Sequence, residues 1–167
     1  MQFSVGDIVV HPHHGPGRIA ALEQWDVDDE GRQYYLVEIP FQSMTVHVPV
    51  DKADEAGLRP AISPSRLPQV LSTLRREPDL LPDDYKERQE QIEATIREGQ
   101  ILPLARAARD LTWHGERAHL TKRDADLLRQ VQDLLAAEVA LVSGDDLADS
   151  MELIDSTLTA ALAGVSH

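Results

Sequence analysis

The sequence predicts an α+β chain: a small antiparallel β barrel or strongly bent sheet over residues 1–60, then an all-α domain of about five helices over residues 63–164. Three observations carry this. Short runs of strand-forming residues, partly alternating with period two, fill the first 60 residues, and apolar positions recur at helical spacing afterwards. Glycine, proline and acidic turn residues punctuate the first part at short intervals. Capping residues frame the later segments. The boundary falls near Pro60–Pro64, where strand patterning gives way to helical patterning.

Asp7–His11 is a short apolar strand, opened by Val5-Gly6-Asp7. His11 to Gly17 then reads H-P-H-H-G-P-G, a tight glycine-turned bend into a second strand, Gly17–Gln24. Asp28-Asp29-Glu30-Gly31 is a polar turn between two runs of strand formers, a hairpin signal. Gln33–Ile39 follows. Met44–Val48 alternates, with Val46 and Val48 on one face and Thr45 and His47 on the other, and Pro49 ends it. Five short antiparallel strands at this spacing make a small barrel or bent sheet.

Ser63-Pro64 is an N-cap with proline at the first helical position, and Leu67, Val70, Leu71 and Leu74 supply the apolar stripe of the helix it opens. Pro78 to Pro82 is a break. Asp83 and Asp84 open a second helix that stops at Gly99. A third covers about Leu102–Trp113. Thr121 caps the fourth, with Asp124 three residues on as a capping-box variant, and Gly144 ends it. A fifth covers about Asp146–Ala163.

The charge balance bounds the partners. The formal net charge is −13, with 16 basic and 29 acidic side chains. Of the basic residues, 12 lie in residues 61–137, so an anionic partner should meet the chain there, through a local field. There is no cysteine, which excludes disulfides, thiolate zinc sites and cysteine nucleophiles. His11, His13 and His14 fall short of a tetrahedral ligand set and read as the imidazoles of a turn, so no metal is expected. Gly15-Pro16-Gly17 precedes a strand rather than a helix, so it is no phosphate cradle. Without a nucleophile elbow either, the chain is not expected to be an enzyme, and neither a cofactor nor a small-molecule substrate is expected. Met1-Gln2-Phe3-Ser4 carries no secretory pattern, and no apolar run approaches the roughly 20 residues that span a bilayer. A cytoplasmic protein with no membrane partner is the expectation.

Aromatics make up 4% of the chain, so each one stands out. Trp25, beside Glu23, Gln24 and Asp26, is an interface anchor or a partly buried edge residue. Trp113 reads as core. Tyr85, beside Lys86 and Arg88, could stack on a base or enter a minor groove, or could cover a seam between helices.

These pieces together resemble a known family. Val5-Gly6-Asp7, Val9-Val10, His11-Pro12-His13-His14-Gly15, Thr45-Val46-His47-Val48-Pro49 and Gly57-Leu58-Arg59 look like the N-terminal module of the CarD/CdnL transcription factors. That module also occurs in transcription-repair coupling factors. Leu71 to Leu74, Tyr85 to Arg88, Gly99, Ala107 to Leu111 and Leu134-Leu135-Ala136-Ala137-Glu138 resemble the family's helical part. The resemblance implies a Tudor-like domain that docks on the β subunit of bacterial RNA polymerase, here through Trp25, Met44 and His47. It also implies a helical domain that contacts promoter DNA at the upstream edge of the transcription bubble, here through Tyr85, Lys86 and Arg88. Tyr85 stands where the family carries a tryptophan wedge. Glu87 and Glu90 stand where it tends to be basic, and Trp25 and His47 where it often carries arginines. The expected function is a transcription regulator that modulates open-complex stability through weak, polymerase-dependent DNA contact, nucleoid-associated through the polymerase. The alternative is an acidic protein–protein adaptor that has lost the DNA contact.

Overall fold

A computed structural model of the chain describes residues 2–27 and 30–164. The chain divides into two compact units, Met1–Ala61 and Ile62–His167. The first is a bent antiparallel sheet of the Tudor-like kind and the second is helical, the α+β class that the periodicities predict.

The first unit holds β1 (Ile8–His11), β2 (Gly15–Val27), β3 (Glu30–Ile39), β4 (Met44–Pro49) and β5 (Arg59–Pro60), in the sheet order β4-β3-β2-β1-β5. The expected turn at residues 28–31 lies partly outside the described residues, because Asp28 and Asp29 are not among them. β2 runs three residues past Gln24, which puts Trp25 inside a strand, opposite Arg32. β5 is too short to show any alternation, yet it completes the sheet by pairing with Val9 and Val10. One face of the sheet buries Val9, Ile19, Tyr35, Val37, Ile39 and Val48, closed over by Ala53 and Leu58.

The His11–Gly17 bend joins β1 to β2. β1 and β2 pair immediately on either side of it, Val10 opposite Pro16 and His11 opposite Gly15. Gly15 has φ +88°, open to glycine at no steric cost. Gly17 is required for another reason: a Cβ there would collide with the Glu38 carbonyl oxygen and press on Val37 and Ile39. His11 is buried, and its Nδ1 accepts from the His13 backbone N–H at 3.1 Å. Burial, and then the neighbouring His14 and His13, lower its pKa to about 4. Its ring is thus a neutral structural element of the bend.

The second unit holds α1 (Leu67–Arg75), α2 (Tyr85–Glu98), α3 (Ile101–Arg117), α4 (Lys122–Ser143) and α5 (Leu147–Ala163). Ser63-Pro64 opens a short 3₁₀ turn, Pro64–Arg66, rather than α1 itself. α3 is longer than its apolar stripe suggests, since it continues through Gly115, where a Cβ would press on Leu120. The caps fall where the sequence puts them. Asp84 accepts from the Glu87 N–H, Thr121 and Asp124 form a reciprocal capping box, and Gly99 and Gly144 end α2 and α4 in the left-handed conformation. Val70, Leu74, Ile92, Leu111, Val131 and Ile154 lie at the centre of the core.

Gly17→Ala is expected to destabilise the sheet unit by about 2 kcal/mol, because the colliding atom is backbone and cannot swing away. Chemical denaturation of variant and parent, followed by tyrosine and tryptophan fluorescence, measures it.

Candidate functional site

Two surfaces carry the residues singled out in the sequence, one on each unit. On the sheet, the inward residues of β3 are Tyr35, Val37 and Ile39, so Tyr34 and Leu36 lie on the outer face. Cross-strand register adds the rest. Glu23 lies opposite Tyr34, Trp25 opposite Arg32, and His47 opposite Leu36. Trp25 packs its ring against both neighbours, with centroids 4.8 Å from Tyr34 and 4.6 Å from His47. Its Nε1–H donates to Glu23 Oε2 at 3.1 Å. The indole is therefore held in place, yet 40% of its surface stays exposed. Tyr34 is the member of this group that the sequence reading missed, and its signal was alternation against buried Tyr35.

Met44 does not join the group. It shares a face with Val46 and Val48 and packs, half buried, against the sheet core. The period-two pattern of β4 separates it from His47.

On the helical unit, Tyr85 is the first residue of α2 and 51% exposed, with Lys86 exposed beside it. Glu87 and Glu90 are exposed as well. Arg88 is not at this surface. It is 3% exposed and forms a two-pronged ion pair with Asp124, Nε to Oδ1 at 3.1 Å and Nη2 to Oδ2 at 2.7 Å. Its Nη1 donates to the carbonyls of Pro82 and Asp83 at 3.2 and 3.0 Å. A guanidinium so engaged has no free edge for a phosphate, which corrects the expectation that Arg88 touches DNA. The cause is helical spacing: Arg88 lies four residues before buried Ile92, on the stripe that α2 turns inward.

Asp124 is held from several directions. Thr121 N–H donates to its Oδ2 at 2.9 Å, and Gln89 Nε2 to its Oδ1 at 3.3 Å. Burial by itself would raise its pKa. The bonds from Arg88, then Thr121 and Gln89, outweigh burial and bring it to about 2. His114 is buried too, and its Nδ1 has no hydrogen-bond partner among the described residues. Burial first, then the Arg88 charge, keeps its pKa below the ordinary value.

A second arginine holds the other end of the segment that leads to α2. Arg109, 5% exposed, donates to Asp110 Oδ1 at 2.8 Å, the Thr73 carbonyl at 3.3 Å and Asp79 Oδ2 at 3.2 Å. Asp110 Oδ1 also accepts from the Asp79 N–H at 3.0 Å. Residues 76–84 are thus a proline-rich connector tied down at both ends.

Among the described residues, no group of three or more His, Asp or Glu side chains is arranged to hold a metal, and no helix is long and apolar enough to cross a membrane.

The Asp124 arrangement makes stability depend on acid. Its carboxyl titrates at 3.8 in a free chain and at about 2 here. A depressed folded value stabilises the fold above pH 3.8 and loses that contribution as pH falls towards 2, on the order of 2 kcal/mol. Circular dichroism between pH 5 and 2 is expected to show this loss for the parent and a flatter profile for Asp124→Asn.

Residues 3–62 match the family model described as the CarD-like/TRCF RID domain, and residues 69–155 match the CarD C-terminal domain. A curated relative from Bacillus subtilis (strain 168), described as "Putative transcription factor YdeB", is 29% identical over 144 residues, covering 85% of this chain and 93% of that protein.

Proposed function

Because the chain belongs to the CarD family, we propose that it regulates transcription by docking on the RNA polymerase β subunit and touching promoter DNA at the upstream edge of the bubble. The observation that carries the docking half is the outward stack of Trp25 on Tyr34 and His47. A large, exposed and rotationally fixed indole loses little entropy on binding, which is the profile of an interface anchor. Its neighbours are the aromatic rings of Tyr34 and His47, with acidic Glu23 and, opposite on β3, basic Arg32. This favours a contact centred on ring burial, with charges of both signs beside it.

The DNA half rests on Tyr85. A half-exposed aromatic at a helix start is suited to slip between or against base steps where a duplex is already opening. A chain carrying −13 binds free DNA poorly, since phosphate contacts need local positive charge. Tethering removes that obstacle: once docked, the helical unit acts at a high effective concentration and needs little affinity of its own. Lys86 is the cation beside the wedge that remains for a phosphate. Such a protein works at the nucleoid, wherever polymerase is engaged, and needs no cofactor.

The burial of Arg88 favours a second reading, an adaptor that holds polymerase without touching DNA. Salt separates the two. Direct contact makes affinity for forked promoter DNA, in the presence of polymerase, fall with rising salt.

Trp25→Ala is expected to weaken polymerase binding about tenfold to thirtyfold while leaving the melting of the helical unit unaltered. Unchanged co-purification with polymerase removes the docking claim. Tyr85→Ala is expected to shorten open-complex lifetime about fivefold or more with docking intact. Equal lifetimes in promoter-dissociation assays take Tyr85 out of the mechanism.

A further inference from the structure

We propose that Arg88, paired with Asp124, is a positioning residue: it fixes the backbone entering α2 so that Tyr85 projects from a rigid base. This rests on the reading that Tyr85 meets promoter DNA, and it supplies the device that aims the ring.

The geometry forms a continuous chain of directional bonds. The N-terminus of α4 is locked by its capping box, in which the Asp124 N–H donates to Thr121 Oγ1 at 3.1 Å and the Thr121 N–H donates to Asp124 Oδ2. Asp124 grips both prongs of Arg88. Arg88 in turn grips the carbonyls of Pro82 and Asp83, the two residues before the N-cap Asp84. Tyr85 comes next. Every bond from the α4 cap to the residue before Tyr85's cap is made by a group buried or half buried in the fold. Gln89, one residue beyond Arg88, adds a parallel tie to Thr121 Oγ1 at 3.0 Å.

Stability alone does not account for this arrangement. Replacing a buried ion pair by well-packed apolar side chains is often neutral or stabilising. An aliphatic residue at 88 would continue the stripe of Ile92 and satisfy the core. It could not hold two carbonyl oxygens and a carboxylate in one plane, which is what a guanidinium fork does. The connector carries the complementary clamp at its other end, where Arg109 holds Asp79 and the Thr73 carbonyl. Between the clamps the backbone has little freedom. A wedge that resists re-annealing works only if the backbone behind it does not yield, so rigidity at residues 82–84 converts into force at Tyr85.

The test uses the full chain carrying Arg88→Lys, Arg88→Met or Asp124→Asn, at concentrations that saturate polymerase and at temperatures where circular dichroism shows the chain folded. Arg88→Lys keeps the charge but not the fork, so it remains informative where Arg88→Met fails to fold. Each variant is expected to shorten open-complex lifetime about twofold to fivefold and no further than Tyr85→Ala does, since a displaced ring loses part or all of its contact. Docking on polymerase and the slope of log affinity against log salt are expected to stay parental, and in a Tyr85→Ala background the three changes are expected to add nothing. A phosphate contact has the opposite signature: a salt slope reduced by about one in Arg88→Met, with Asp124→Asn neutral or tighter. That pattern overturns the proposal, and so do parental lifetimes in all three variants. Amide exchange in the free chain reads the bracket without DNA, with the Glu87 and residue-88 amides expected to exchange about tenfold faster in the variants. Should Tyr85→Ala leave the lifetime unaltered while exchange quickens, the DNA reading fails and the bracket stands. Unaltered exchange removes the bracket itself.

Discussion

The Arg88–Asp124 pair is the constraint on which the candidate DNA surface depends. Its two nitrogen–oxygen contacts, at 3.1 and 2.7 Å, lie where both side chains are almost fully excluded from solvent. Desolvating two charges costs several kcal/mol each, and Coulomb attraction offsets that only with good geometry and with the remaining donors satisfied. Here the remaining donors go to the Pro82 and Asp83 carbonyls, and the remaining carboxylate capacity goes to Thr121 and Gln89. The low pKa of Asp124, despite burial that pushes it upward, is the electrostatic signature of that satisfaction. The pair thus links the connector and the first turn of α2 to the cap of α4, 36 residues along the chain from Arg88.

A similar logic operates in the sheet unit without charge. The bend at His11–Gly17 is held by the His13 N–H donating to buried His11, and at its end Gly17 admits the Glu38 carbonyl of β3. That bend places β2 against β3 in a register that carries Ile19 inward opposite Val37 and, past a bulge, brings Glu23 opposite Tyr34 and Trp25 opposite Arg32 on the outer face. The outer aromatic group is therefore a product of strand register. A slip of one residue would exchange its faces and bury the indole. In each unit an exposed aromatic is mounted on structure that leaves its backbone little freedom.

The parts legible in the sequence are those governed by local chemistry. Asp84, Gly99, Thr121 with Asp124, and Gly144 mark helix ends through capping rules that need only a few neighbouring residues. The strand alternation in β4 correctly divided Val46 and Val48 from Thr45 and His47, but applied to Met44 it also says inward, and there the site expectation ran against its own pattern. Arg88 was misplaced for a related reason. Chemical type said surface cation, whereas its position four residues before Ile92 said buried face. Its partner lies 36 residues away, and no local rule reveals such a distance. Tyr34 was hidden because Tyr34 and Tyr35 are chemically alike and only the register tells which one is outside. β5 was illegible because two residues carry no period.

The removal of Arg88 from the surface alters the physics expected at the DNA. With Glu87 and Glu90 exposed and Arg88 buried, the first turns of α2 hold Lys86 as the cation nearest Tyr85. Electrostatic attraction can then contribute little, and near the acidic N-cap Asp84 it is partly opposed. What remains for the proposed contact is shape: an aromatic ring, a backbone held behind it by the Arg88 bonds, and the tether that docking on polymerase would supply. Such a contact discriminates by the state of the duplex rather than by its charge. Closed B-form DNA offers the ring no gap and repels the acidic helix. An opening junction offers an unstacked step, where the gain from stacking comes without prior unstacking cost. If Tyr85 meets promoter DNA as proposed, a weakly charged, rigidly mounted wedge would favour the partly melted promoter over the genome's excess of closed duplex, and acidity would become a source of selectivity instead of an obstacle to binding.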